Sequence, residues 1–115
     1  MLEISSTPNQ SLFILHLSGR LETASYKQFE DIALSAINNG YTQFVIDLEK
    51  LDYISSAGFR ILLLITHKLI DLNGNLTVCN LSPTISYVFE LSGFNKIISQ
   101  SHSLEETIAK LTKQL

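Results

Sequence analysis

Short apolar stretches alternate along this chain with longer segments in which apolar residues recur at a helical spacing. Residues 2–7 alternate weakly between apolar and polar, and residues 11–18 (SLFILHLS) form an apolar run typical of a strand. The sequence PNQ at 8–10 supplies turn residues, so we expect the two strands to pair as an antiparallel hairpin. Gly19 is expected to end the second strand, because glycine adopts backbone conformations that other residues resist.

A first helix is predicted over residues 23–38, where apolar side chains return near every third or fourth position. Ser25 followed by Gln28 resembles a capping box, in which two side chains satisfy the first N–H groups of a helix. Thr23 is a rival cap. Gly40 is a stop signal, since it can take the left-handed conformation that ends many helices.

The stretch from Val45 to Leu64 (VIDLEKLDYISSAGFRILLL) is predicted to hold a buried strand, a short polar crossover and the start of a second helix. The strand covers residues 44–48. Leu51 and Tyr53 in the crossover are expected to point inward. The remaining crossover residues are charged and are expected to face water: Glu49, Lys50 and Asp52.

The second helix is predicted over residues 56–71 and ends before an Asn-Gly pair. Its inner seam is expected to consist of four apolar residues, Leu62, Ile65, Leu69 and Leu72. Its outer face is marked by four polar residues, Arg60, His67, Lys68 and Asp71. Leu64 also falls on the outer face, where either a neighbouring loop covers it or a partner protein meets it.

Four further elements complete the pattern: a strand at 75–80, a third helix capped by Ser82, a short edge strand at 96–99, and a last helix at 104–113 capped by Ser103. A hairpin followed by alternating helices and strands predicts an α/β fold. We expect a single mixed β-sheet of four to five strands packed with about four α-helices, its later strands running parallel. The length of 115 residues favours one domain over 1–115.

Composition and charge exclude several classes of partner. The chain is 45% hydrophobic and 17% charged, which is enough apolar material for a core, and its net charge is −3. Its arginines and lysines are scattered, so no nucleic-acid partner is expected. The longest apolar run, at 61–65, is too short for membrane insertion. The N-terminal residues carry no secretory pattern, so a cytoplasmic location is expected.

The chemistry of known catalytic and cofactor sites is also missing from the sequence. His16, His67 and His102 are far apart, so no metal site is expected, and His16 on its strand is predicted to be structural. Cys79 is predicted to be a small buried side chain. There is no phosphate-binding loop, and the nucleophile-elbow pattern fails because Ile54 and Tyr53 stand where its first glycine belongs. We therefore expect no enzyme activity, no catalytic residue and no cofactor.

Ser55 and Ser56 lie where the second helix begins. The first N–H groups of a helix lack intrahelical partners, and the helix dipole adds partial positive charge there. Serine hydroxyls at this place can cap the helix, and a phosphate group is also well received there. Local physics alone favours the capping interpretation.

Three segments resemble the STAS domains of bacterial anti-sigma factor antagonists, and the resemblance covers residues 14–111. Residues 15–33 (LHLSGRLETASYKQFEDIA) are similar to the second strand and first helix of that family. Residues 45–63 are similar to its signature segment, and residues 73–98 to its fourth strand and third helix. The resemblance implies the STAS fold and partner switching, in which the unphosphorylated antagonist sequesters an anti-sigma factor.

The implied partners are an anti-sigma factor serine kinase with a histidine-kinase-like ATPase fold, which phosphorylates the antagonist, and a PP2C-type phosphatase, which reverses it. The common signature reads Asp-Ser-Ser/Thr-Gly, whereas this chain has Ser-Ser-Ala-Gly, with Ala57 at the usual phosphorylated position. The resemblance therefore implies phosphorylation of Ser56, with Ser55 as second choice. The implied partner surface consists of Ser55, Ser56, Gly58, Phe59, Arg60 and Leu64.

An alternative function is a STAS subunit that is not phosphorylated. Such a subunit acts as a structural or sensory partner of a transporter or of another signalling complex. Nearby genes for a serine kinase and a phosphatase would favour the antagonist, and nearby transporter genes would favour this alternative.

Overall fold

The computed structural model describes residues 1–112, and within them one five-stranded mixed sheet packs with four α-helices. This confirms the predicted α/β fold. The elements are, in chain order, β1 (Leu2–Asn9), β2 (Leu12–Leu21), α1 (Tyr26–Asn38), β3 (Gln43–Ile54), α2 (Ser56–Asp71), β4 (Asn75–Cys79), α3 (Pro83–Ser92), β5 (Ser99–Ser101) and α4 (Leu104–Thr112).

The sheet follows the order of the sequence, β1-β2-β3-β4-β5. The hairpin of β1 and β2 is antiparallel and the other neighbours are parallel, as predicted. The turn is shorter than expected, because Asn9 pairs with Leu12 and only Gln10 and Ser11 connect the strands. Pro8 therefore belongs to β1, where an edge strand tolerates its missing N–H group.

Strand β2 does not end at Gly19 but continues to Leu21, so that prediction was wrong. Gly19 has φ +102°, and a Cβ atom there would overlap the carbonyl oxygen of Met1. The pairing of β2 with β3 shifts register around this glycine. Glycine thus marks an irregularity inside the strand, which is its other common role in sheets.

Helix α1 begins at Tyr26, three residues later than predicted, and the capping box does not form. The Ser25 hydroxyl donates to the Arg20 carbonyl oxygen at 2.7 Å and accepts from the Glu22 N–H at 3.1 Å. The Gln28 amide donates to a carbonyl of β1. These polar groups hold the β2–α1 connection instead of capping the helix. The predicted stop is confirmed, since α1 ends at Asn38.

Strand β3 is much longer than predicted, because residues 49–54 extend it rather than forming a crossover. They continue to pair with β2, and Tyr53 lies opposite Arg20. Leu51 is buried as expected, but Tyr53 is 42% exposed, so its inward placement was wrong. The Arg20 guanidinium lies 4.1 Å from the Tyr53 ring centroid, a cation–π contact across the strand pair.

The C-terminal third differs from the prediction in one element. Residues 94–96 form a short 3₁₀ helix, and the edge strand β5 follows at Ser99–Ser101 rather than at 96–99. Both predicted caps are confirmed: Ser82 accepts from Ile85 N at 3.2 Å, and Ser103 accepts from Glu106 N at 3.1 Å. The last predicted residue of α4, Lys113, lies outside the described residues.

The two faces of the sheet carry separate cores. Helices α1, α2 and α3 cover the larger core, whose fully buried residues include Phe29, Phe44, Leu62, Ile65 and Phe89. Helix α4 covers a smaller one built on Leu12, Ile14, Val45 and Cys79. Burial raises the pKa of the Cys79 thiol to about 12, which fits a structural side chain. On α2 the predicted seam is buried except Leu72, which is 49% exposed because it follows the last helical residue.

Asp47 joins three parts of the sheet. One carboxylate oxygen accepts from His16 Nδ1 at 2.9 Å, and the other accepts from Asn80 Nδ2 at 2.9 Å and from Glu49 N at 3.1 Å. Burial raises the pKa of Asp47, but these hydrogen bonds from Asn80, His16 and Glu49 outweigh it and hold the pKa below its usual value. The structural role predicted for His16 is confirmed.

We predict that Asp47→Asn lowers the free energy of unfolding at pH 7 by about 1–2 kcal/mol, because three donors, two of them in part-buried hydrogen bonds, lose an ionised acceptor. The pKa of Asp47 is lower in the folded than in the unfolded chain. Its contribution is therefore complete above the unfolded pKa, near 4, and is lost as the pH falls through the folded pKa. In urea unfolding, the free energy of unfolding of the variant should decline less steeply with falling pH below 4 than that of the natural chain.

Asp31→Asn is the matched control. Asp31 lies 3.0 Å from Lys27 on the exposed face of α1, where water screens the pair. The Asp31→Asn substitution should therefore leave the free energy of unfolding nearly unchanged. An equal loss of stability in both variants would show that the Asp47 hydrogen bonds contribute nothing specific.

Candidate functional site at the start of helix α2

Ser55 is the single residue between β3 and α2. Its N–H donates to the Leu21 carbonyl oxygen at 3.0 Å, and its hydroxyl accepts from Gly58 N at 3.2 Å. Its backbone is extended, with φ −91° and ψ 175°, as a helix cap requires. Ser55 is thus the N-cap of α2 and is tied to the end of β2 at the same time.

Gly58 allows the first turn of α2 to lie against the ends of β2 and β3. A Cβ atom at this position would stand 2.5 Å from the Leu21 carbonyl oxygen and 2.8 Å from Ile54 Cγ1. Both distances are far below van der Waals contact, so only glycine fits. Leu21 is the residue of this site that sequence analysis missed. Leu21 contributes its backbone carbonyl oxygen, and the pattern of side chains along a sequence does not predict such a contact.

Ser56 is the first residue of α2 and is exposed. The hydrogen bonds found within residues 1–112 use the hydroxyl of Ser55 at this helix start and do not involve that of Ser56. Ala57 is half-buried beside it. The two serines therefore differ, since one hydroxyl is engaged in holding the helix and the other faces solvent.

Phe59 and Gly58, which the sequence placed in the partner surface, are both buried in the folded chain. Phe59 is 5% exposed and stacks on Phe94, with ring centroids 4.9 Å apart and planes 17° apart. It also meets the edge of Phe89 at 5.2 Å. Phe59 therefore anchors the first turn of α2 to α3 and to the 3₁₀ helix that follows α3.

Arg60 and Leu64 lie on the outer face of α2, as predicted. Leu64 is 41% exposed, so no neighbouring loop covers it. Positions 56, 60 and 64 follow one another at a spacing of four positions and therefore share one helix face. We call Ser56, Arg60 and Leu64 the α2 stripe. It combines a hydroxyl, a cation and an apolar side chain on one exposed line.

The electrostatics of this site favour an anion. The first turn of α2 contains no acidic residue. The positive end of the helix dipole is therefore not offset by a nearby carboxylate on the helix. Among the described residues, no three His, Cys, Asp or Glu side chains are grouped closely enough to hold a metal ion.

None of the helices formed by residues 1–112 has both the length and the apolar character needed to cross a membrane.

The different placement of the two serines predicts different costs of truncation. Ser55→Ala should lower the free energy of unfolding by about 1 kcal/mol, because the Gly58 N–H loses its acceptor. Ser56→Ala removes an exposed hydroxyl and should change stability by less than about 0.5 kcal/mol. Urea unfolding followed by circular dichroism measures both. Equal losses in the two variants would contradict the assignment of Ser55 as the cap.

The chain has clear relatives in sequence. A family model described as the STAS domain matches residues 3–111. BtrV of Bordetella bronchiseptica, a protein provisionally named as an anti-sigma factor antagonist, is 38% identical over 98 residues. That alignment covers 85% of this chain and 84% of BtrV.

Solved structures share the fold at lower identity. An anti-sigma factor antagonist from Mycobacterium paratuberculosis is 17% identical, with a TM-score of 0.87 over 96% of this chain and 93% of that one. SpoIIAA in its unphosphorylated form is 20% identical, with a TM-score of 0.77 over the full length of both chains. Phosphorylated SpoIIAA from Bacillus is 23% identical, with a TM-score of 0.75 over 96% and 99%. Together with the sequence matches, these likenesses lead to one conclusion: this chain belongs to the STAS domain family of anti-sigma factor antagonists.

Proposed function

We propose that this antagonist is switched by phosphorylation of Ser56 and, while Ser56 is unmodified, sequesters an anti-sigma factor serine kinase with a histidine-kinase-like ATPase fold. The observation that carries the proposal is the difference between the two serines. Ser56 is exposed at the first position of α2, whereas the Ser55 hydroxyl is bound to Gly58 N. A kinase can reach Ser56 without breaking the cap that holds the helix start.

The chemistry of the switch is a phosphoryl transfer carried out by the partner. The Ser56 oxygen attacks the γ-phosphorus of ATP, the bond from that phosphorus to the bridging oxygen breaks, and ADP leaves. The serine proton passes to a base of the kinase. The product carries nearly two negative charges and three acceptor oxygens at the positive end of α2. A PP2C-type phosphatase restores the hydroxyl by hydrolysis, with release of inorganic phosphate.

The α2 stripe explains how one phosphate ends the complex. A partner surface fitted to a neutral hydroxyl, a cation and a leucine must desolvate or repel the new charge. The fold itself needs no rearrangement, because an anion at a helix N-terminus is stabilised. The effect of phosphorylation is therefore confined to the surface that meets the kinase.

Ser55 is the second candidate for phosphorylation, and its geometry argues against it. A phosphate on Ser55 would turn the hydroxyl oxygen that accepts from Gly58 N into an ester oxygen and place a bulky dianion at the cap itself. Ser55 is also held by its N–H on the Leu21 carbonyl, which limits how far it can move toward a kinase. The proposal therefore ranks Ser56 first.

We further propose that the chain is a binding module rather than a catalyst and that it acts in the cytoplasm, where sigma factors act. Its site supplies a phosphate acceptor, and the kinase and phosphatase supply the catalytic groups. The relatives named above are antagonists, which supports a role in binding.

Intact-mass analysis after incubation with the cognate kinase and Mg-ATP tests the phosphorylated residue. We expect the natural chain and Ser55→Ala to gain one phosphate and Ser56→Ala to gain none. Phosphate on Ser56→Ala but not on Ser55→Ala would move the switch to Ser55. Phosphate on a variant that lacks both hydroxyls would refute a switch at this helix start.

Binding of the unphosphorylated chain to the kinase tests how a charge at position 56 affects the complex. Ser56→Asp should weaken kinase binding by about tenfold or more, which is about 1.4 kcal/mol, because the interface then buries a charge. Ser56→Ala should bind as the natural chain does. Ser35→Asp adds the same charge at an exposed position of α1 and is the matched control. Calorimetry showing equal binding by Ser56→Asp and Ser35→Asp would contradict a partner surface at Ser56.

A further inference from the structure

We propose that Arg60 binds the phosphate of modified Ser56 within α2 itself, and that this contact withdraws the guanidinium from the partner surface. The inference rests on the proposed function, because it describes how the phosphorylated state of that site is held. It assigns to Arg60 an anionic partner on its own helix in the phosphorylated state.

The geometry of α2 places the two groups side by side. Ser56 and Arg60 are separated by four residues within a continuous helix, and both are exposed. Side chains at this spacing are neighbours, with Cβ atoms about 5–6 Å apart. Helical side chains also lean toward the N-terminus of their helix. The Arg60 side chain is therefore directed toward Ser56 rather than away from it.

The charges of the surroundings leave Arg60 available. Three ion pairs between a Lys or Arg side chain and a carboxylate form among residues 1–112, and Arg60 takes part in none of them. The first turn of α2 has no acidic residue that would compete for the guanidinium. No existing ion pair has to break when the contact forms. Its main free-energy cost is therefore the removal of water from the guanidinium.

Two further cations, Arg20 and Lys68, are not placed to compete for this role. Arg20 is paired with Glu22 at 2.8 Å, and this hydrogen bond to Glu22 is the first cause of the raised pKa of Arg20. It also covers the Tyr53 ring. Lys68 belongs to α2 but lies three turns beyond Ser56, which is about 18 Å along the helix axis. Arg60 is thus the cation that the helix itself offers to Ser56.

Arginine suits this role chemically. Its planar guanidinium presents several N–H donors that match two phosphate oxygens at once, and it remains charged at every physiological pH. The off-state then differs from the on-state in two ways. A dianion has been added to the α2 stripe, and its one cation no longer faces the partner. Both changes oppose the same complex.

The test uses the full chain with phosphoserine incorporated at position 56 during translation, so that no kinase is needed. Phosphorus NMR follows the second ionisation of the phosphoserine as the pH is varied. A cation beside the phosphate favours the dianion and lowers that pKa. We expect Arg60→Gln to raise the phosphoserine pKa by about 0.3 of a pH unit or more relative to the chain with Arg60.

Lys68→Gln is the matched control, because it removes one positive charge from the exposed face of the same helix. Lys68→Gln should leave the phosphoserine pKa unchanged. The phosphoserine pKa of Arg60→Lys should lie between that of the chain with Arg60 and that of Arg60→Gln, because lysine keeps the charge but loses the two-point contact. An unchanged pKa in Arg60→Gln, or an equal shift in Lys68→Gln, would overturn the proposal.

The result is separable from the proposed function. The phosphate is installed by translation, so a missing shift refutes the contact with Arg60 whichever serine the kinase modifies. A shift as expected supports the contact, and the mass analysis of kinase-treated chain decides independently whether Ser56 is the natural acceptor.

Discussion

The close approach of α2 to the end of β2 is the constraint on which this site depends. The Ser55 N–H binds the Leu21 carbonyl, and Gly58 passes the same carbonyl at a distance that leaves no room for a Cβ atom. These two contacts fix the position and the rotation of the first helical turn. Because a helix is rigid, its rotation at the first turn decides which side chains face the sheet and which face solvent along its length.

This rotation gives α2 two distinct faces, one packed in the core and one exposed. Phe59 and Leu62 turn inward, where Phe59 joins α2 to α3 through Phe89 and Phe94. The α2 stripe turns outward. The adjacent serines are divided in the same way: Ser55 holds the helix start, and the hydroxyl of Ser56 takes part in none of the hydrogen bonds found within residues 1–112. The phosphorylation that we propose at Ser56 would therefore change a side chain whose hydroxyl the helix start does not use.

The elements that sequence analysis placed well are those decided by neighbouring residues. The bounds of α2 and the caps at Ser82 and Ser103 follow from local apolar spacing and from side chains that bind N–H groups three residues on. The misplaced elements depend on distant pairing. Strand β3 continues past Leu48 because β2 continues beside it, and its polar residues there look like a loop when read without that partner.

For the candidate site, local sequence was enough to place the segment, the helix start and the outward side chains of Arg60 and Leu64, because helical periodicity is a local property. The engagement of Ser55 rather than Ser56 and the burial of Phe59 emerged with the packing of the elements. This packing also revealed the role of Leu21 and the engagement of Ser25 with the β2–α1 connection rather than with its own helix. These outcomes depend on atoms brought together from separate strands and helices, and spacing along a single chain does not encode such distances.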